Sequence, residues 1–274
     1  MKQIKSLMTA ALMLVMGIMM TSCLNSDNSE SLYDWAGFVL VQNTMAGTYF
    51  QDAGGNKLIP TYESLMAVEQ AGFKSSETNV AFVYVKMVED TETSTKAGET
   101  TPQTFDVKLV AAQSLDGEDV VVAQTAEEMA GMAPETAPVG SLEFSDNTWG
   151  TTVKPMLFDL NTLLLPIQFY LTNDNEKFKL HKLYLACNME EVSEGDTTLV
   201  FYLRHDRGED DKAEVYYSQW YGFDIRAAVN MFAMKSGADP TKIVIKAHET
   251  QSMTTELPEN YEEYEVEYTL ETQN

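Results

Sequence analysis

The chain has few of the residues that usually carry chemistry. Its 274 residues include two cysteines, three histidines and only three arginines, Arg204, Arg207 and Arg226. Two cysteines exclude a disulfide-dense scaffold. Only 18 Lys+Arg stand against 42 Asp+Glu, a formal charge of −24. A chain of that sign cannot displace counterions from a phosphate backbone, so nucleic acid is excluded as a partner. The histidines, His181, His205 and His248, are dispersed. None belongs to an HExxH pair or a Cys/His cluster, so a zinc site has no support. His205 alternates with Leu199, Phe201 and Leu203 and reads as a structural histidine at the inward end of a strand. No nucleophile elbow, Walker loop or dinucleotide fingerprint is present. Carboxylates are so numerous that an acid pair for glycoside chemistry cannot be singled out. No catalytic, cofactor-binding or metal-binding residue is therefore assigned, and the chain is expected not to be an enzyme.

A long hydrophobic run is also missing. The longest, residues 7–20, has 14 residues, whereas a spanning helix needs about 20. Lys2 and Lys5 precede it and Met20-Thr21-Ser22-Cys23 follows, which is the layout of an export signal. The last four residues resemble a bacterial lipobox. Residues 1–22 thus read as a lipoprotein signal peptide and Cys23 as the lipidated first residue, anchoring the chain to a membrane. Lipidation of Cys23 leaves Cys187, within an apolar run, as a small core residue with no disulfide partner. Residues 23–31 are polar and read as a flexible tether. Its Asp27 and Glu30 resemble the acidic signal that sends some lipoproteins of Bacteroides-like bacteria to the outer face of the outer membrane; a plain spacer has the same composition.

What the chain does have is material for cores, 44% hydrophobic and 10% aromatic residues. Residues 35–41, 47–50, 58–59, 79–88 and 105–109 read as strands, with a glycine and Asx turn at 52–56. Thr61 opens a helix over 61–71, stopped by Gly72. The polar stretch 89–103 reads as a loop. Residues 113–140, rich in acidic and small residues, read as a linker, with capping-box spacing from Thr125 to Glu128. Beyond it, 163–171, 178–187, 199–205, 215–221, 243–247 and 264–270 read as strands, and 224–234 as a helix ending at Gly237. The pattern is all-β with few short helices.

The signal and lipobox, then Trp35-Ala-Gly-Phe-Val-Leu-Val, Tyr49-Phe50-Gln-Asp and Lys57-Leu-Ile-Pro60, resemble the opening of NigD-like lipoproteins. Phe105-Asp-Val-Lys-Leu is similar to the strand closing their first domain. Leu199-Val-Phe-Tyr-Leu-Arg-His-Asp206 with Gly222-Phe-Asp-Ile225 is similar to their second. The chain departs from the family at 71–76, where a basic turn is usual, and in the helical character of 224–237. The resemblance implies a small OB-type barrel over 32–112 and, past the linker, a β-sandwich over 141–274. It implies an outer-membrane lipoprotein, periplasmic or surface-facing, and through the family's name a link to bacteriocin operons.

Two surface features remain. Asp206, Glu209, Asp210 and Asp211 gather hard oxygen ligands in one loop, but not at EF-hand spacing; Arg207 and Lys212 offer them local partners, and a solvated hairpin tip fits as well. Tyr49, Phe50 and Tyr84 in the barrel, and Tyr216-Tyr217 and Trp220-Tyr221 in the sandwich, could stack on a ligand or fill a core. Between residues 31 and 112 five lysines oppose ten acids. The expected function is thus a lipid-anchored, non-enzymatic module of the cell envelope that binds a protein or glycan. The alternatives are a bacteriocin-associated accessory or immunity lipoprotein and, with least support, an envelope hydrolase.

Overall fold

The computed structural model describes residues 31–88, 102–146 and 151–269. The chain divides into two compact units between Ser114 and Leu115. Each is built from strands.

In the first unit β1 (Trp35–Thr44), β2 (Gly47–Gln51), β3 (Lys57–Pro60), β4 (Val80–Met87) and β5 (Thr104–Ser114) close a barrel in the order β1-β2-β3-β5-β4. All neighbours are antiparallel except β3 and β5, and β4 pairs with β1 to complete the circle. The five-strand order is that of an OB-type barrel. Alternation explains it: Val39 and Val41, Val83 and Val85, and Val107 and Leu109 point inward with Phe50 and Leu58, all buried. Asp52 sets the β2–β3 turn, its Oδ1 accepting from Asn56 N at 2.9 Å, and Gly55 takes a left-handed φ of 81°. Helix α1 (Tyr62–Gln70) follows β3. Thr61 caps it, and it stops at Gly72, φ 117°. Its Leu65 and Val68 pack on the barrel core together with Phe73.

The second unit holds β6 (Val121–Ala123), α2 (Ala126–Met132), β7 (Phe144–Asp146), β8 (Thr151–Val153), β9 (Met156–Asp159), β10 (Thr162–Leu171), α3 (Asn175–Phe178), β11 (Lys182–Asn188), β12 (Thr198–Asp206), β13 (Val215–Asp224), α4 (Arg226–Ser236), β14 (Lys242–Ala247) and β15 (Glu262–Glu267). A three-stranded sheet, β13-β10-β9, faces a five-stranded sheet, β15-β14-β12-β11-β6, and β7 pairs with β8 as a separate ribbon. Leu163, Leu165, Ile167 and Phe169 of β10 share one core with Leu185, Phe201 and Ile245 of the larger sheet. That is a sandwich interior. Ala228, Val229 and Phe232 of α4 enter the same core. Gly237, φ 96°, ends α4 where the sequence places the stop.

Two expectations are corrected. The linker expected over 113–140 is structured: β6 joins the larger sheet parallel to β11, and Val121, Ala123, Met129 and Ala133 pack on Ala186. Thr125 and Glu128 do cap α2, the Thr125 hydroxyl accepting from Glu128 N at 3.2 Å while Glu128 Oε2 accepts from Gln124 N at 2.6 Å. Phe178 is not in a strand. Asp174 caps the single turn α3, and β11 begins only at Lys182.

Candidate functional site

The most unusual polar arrangement lies inside the second unit, where the ends of several strands converge. β12 alternates strictly, so Leu199, Phe201, Leu203 and His205 all face the core, and His205 is 1% exposed. The β11–β12 register sets Leu183 opposite His205. Period two then brings His181, just before β11, to the same face. Its Nδ1 lies 2.7 Å from His205 Nε2, and His205 Nδ1 lies 3.0 Å from the Pro138 carbonyl. His181 Nε2 is 3.1 Å from Oδ2 of Asp210, a carboxylate of the 207–214 connection that is fully buried. The same carboxylate accepts from Thr172 N at 2.8 Å, from the Thr172 hydroxyl, and from Lys212 N at 3.4 Å. Phe169 packs on both imidazoles, with ring centroids 5.3 and 5.1 Å away.

The environment sets the charges. Burial, with a smaller push from His181 and Arg207, lowers the His205 pKa to about 4, although the Pro138 carbonyl opposes this. The imidazole is therefore neutral. Burial opposes ionisation of Asp210, but the hydrogen bonds from Thr172, His181 and Lys212 N outweigh it and hold the carboxyl far below the usual range. For His181 the influences compete. Burial is the larger and lowers its pKa, whereas the Asp210 hydrogen bond and charge push it up.

A second cluster occupies the outer side of the larger sheet. His248 Nδ1 lies 2.9 Å from Glu135 Oε1 and its ring stacks on Tyr261 at 3.8 Å. Arg204 approaches the same carboxylate at 3.8 Å and donates from Nε to Ala133 O at 2.5 Å. Tyr202 donates to Glu191 at 2.9 Å. Burial raises the Glu249 pKa, although Tyr264 and Leu142 N donate to it at 2.7 and 2.8 Å. Among the described residues every buried side-chain nitrogen and oxygen has a hydrogen-bond partner. These clusters are closed networks that fix loops, without a nucleophile aligned on a base.

The sequence-stated candidates are distributed as follows. Cys23 lies outside the described residues. The acidic loop does not converge: Asp206 Oδ1 accepts from the Thr136 hydroxyl at 2.9 Å and from Gly208 N at 3.1 Å, while Asp210 turns inward. No three His, Cys, Asp or Glu side chains gather as a metal-binding group among the described residues. Phe50 is core, whereas Tyr49 is half-buried with Lys57 Nζ 5.1 Å above its ring, and Tyr84 meets Tyr33 edge-on at 4.9 Å. In β13 the rings alternate, Tyr217 and Tyr221 packing on the core and Tyr216 exposed. Cys187 is buried, its thiol donating to Val121 O at 3.7 Å, and burial with the Glu191 charge pushes its pKa up to about 12. Sequence reading found His205 but missed its partners. The signal for His181 was its period-two spacing with Leu183 and Leu185; Asp210 was one acid among several.

No helix among the described residues is long and apolar enough to cross a membrane. No protein-family model and no curated protein matches the chain. Solved structures do. A candidate lipoprotein of Bacteroides fragilis is 27% identical, with a TM-score of 0.69 over 86% of this chain and 98% of that one. A Bacteroides vulgatus protein of unknown function is 11% identical, with a TM-score of 0.51 over 87% and 92% of the two chains. A NigD-like immunity protein of Bacteroides caccae is 13% identical, with a TM-score of 0.48 over 86% and 93%. None of these three is named as an enzyme. The resemblance to NigD-like lipoproteins read from the sequence thus stands beside a nearly full-length likeness to a candidate lipoprotein.

Proposed function

We propose that this chain is a lipoprotein of the bacterial outer membrane, tethered through a lipid on Cys23, that acts without catalysis as a binding module for a protein or glycan partner. The observation that carries the reading is the likeness to the Bacteroides fragilis candidate lipoprotein, which spans 98% of that protein. It agrees with the Met20-Thr21-Ser22-Cys23 sequence and the lysines ahead of it. Support for binding rather than catalysis comes from the polar clusters, whose members are committed to each other and to loop backbone. The excess of Asp and Glu steers the partner away from polyanions and toward neutral sugars or a basic protein surface.

Two measurements test the reading. Metabolic labelling with a fatty acid should mark the chain and fail for Cys23→Ser; equal labelling of both removes the anchor. Affinity capture with the Cys23→Ser chain, from envelope extract and on a glycan array, should return a saturable partner. Failure on both removes the binding module. If deletion of the gene instead sensitises cells to a bacteriocin, the immunity reading takes its place.

A further inference from the structure

Three hydrogen bonds run in series through the core of the second unit: Pro138 O to His205 Nδ1, His205 Nε2 to His181 Nδ1, and His181 Nε2 to Asp210 Oδ2, at 3.0, 2.7 and 3.1 Å. Each needs one proton between its heavy atoms, because two facing lone pairs repel. A carbonyl oxygen brings none, a carboxylate brings none, and a neutral imidazole brings one. Two neutral histidines therefore supply two protons to three bonds. Every tautomer choice leaves a gap. If His205 donates to Pro138 and His181 donates to His205, bare His181 Nε2 faces the carboxylate. If His181 donates to Asp210 instead, two bare nitrogens face each other at 2.7 Å. If His205 donates to His181, its bare Nδ1 faces the Pro138 carbonyl. A third proton closes the chain.

We propose that the folded protein stores that proton on the His181–Asp210 bond at neutral pH, and that its release in alkaline solution parts His181 from His205. His181 is then an imidazolium, its hydrogen bonds on both sides holding the charge against the downward push of burial, and His205 is the Nδ1–H tautomer. The charges of His181 and Asp210 cancel inside the core, which is less costly than burying the carboxylate alone. The groups around the pair are few. Asp206 favours the charge on His181 and Arg207 opposes it. The Arg207 guanidinium is held by the carbonyls of Thr136 and Asp210. Phe169 and Phe178 cover the other side with Tyr217, whose pKa is raised by burial. On the connection, Lys177 Nζ binds Glu209 O and Glu214 accepts from Asn173 N. Asp210 joins the connection to the end of β10 by accepting from the Thr172 amide and hydroxyl. Removing the proton leaves His181 Nε2–H on Asp210, whose bonds from Thr172 hold, and sets two bare nitrogens face to face at 2.7 Å, so the His181–His205 contact is the one that gives way.

The three histidines make this measurable. Nitrogen-15 histidine labelling of the full chain in detergent gives three ring systems, and His248→Gln removes one. At pH 7 the His181 ring should carry protons on both nitrogens, with a coupling across the hydrogen bond to His205, and should lose one in alkaline solution. A His181 ring with a bare nitrogen at pH 7 overturns the stored proton. The coupling between the two rings should vanish as that proton leaves, while the Thr172 amide stays protected by Asp210. A coupling that survives the titration overturns the parting of the two rings.

Discussion

Gly117 lies flat against the Phe223 ring: a Cβ built on the glycine would fall 2.4 Å from Phe223 Cε1. Phe223 is 1% exposed and belongs to the sandwich core, so the ring cannot swing into solvent. Gly117→Ala should therefore destabilise the second unit by about 1–3 kcal/mol through overpacking, read as a lower urea midpoint with unchanged slope. A midpoint equal to that of the parent chain would show that the ring has room to move.

Removal of Phe50 tests the barrel in the same way, with the opposite sign of volume. Its ring is fully buried and meets Phe73 at 6.3 Å between centroids. Phe50→Ala should cost about 3–5 kcal/mol. Because Phe50 belongs to the barrel core alone, amide exchange should speed up in residues 35–60 first.

His205 makes stability depend on pH. Its folded pKa is depressed to about 4, against about 6.5 when unfolded. Between those values the unfolded chain binds the extra proton and the folded chain does not. Stability contributed by this residue is thus full above about pH 6.5 and falls as pH drops toward 4, by up to about 3 kcal/mol. His205→Asn should lower stability at pH 7 yet flatten the curve in that window. An unchanged slope would assign the acid sensitivity to other groups.

Cys187 should be inert. With its thiol buried and its pKa pushed up to about 12, thiolate is scarce at neutral pH. In the Cys23→Ser chain, an aromatic disulfide reagent should titrate no thiol in buffer and one in denaturant. Rapid native labelling would mean that β6 opens readily from β11.

Much of this architecture was legible in the sequence because period two is a local signal. β12 could be read directly from Leu199, Phe201, Leu203 and His205, and β1 from its apolar run. The errors came where local pattern yields to pairing partners far along the chain. Val121, Val122 and Ala123 are too few to announce a strand, and they become one by pairing parallel to Ala186, Cys187 and Asn188. Phe178 continues the apolar run of β11 in sequence, but the Asp174 cap folds it into a helical turn first. The buried chain was half legible. His205 was placed correctly at the inward end of its strand. Asp210 sits in a run of acids whose composition gives no hint that one of them is inside, since its burial depends on Thr172, 38 positions away.

The parallel pairing of β12 with β14 also has a temporal side. Thr198 to Leu203 find one set of partners only in residues 242–247, and β14 is in turn flanked by β15. During synthesis the middle of the larger sheet therefore stays open until residues 242–247 have emerged. A ribosome paused before residue 242 holds a chain whose Phe201 and Leu203 have strand neighbours on one side only, and such non-local closure is slow. Lateness of that kind leaves the larger sheet incomplete until its last strands arrive, and loss of residues 242–267 would strip β12 of one of its two neighbours.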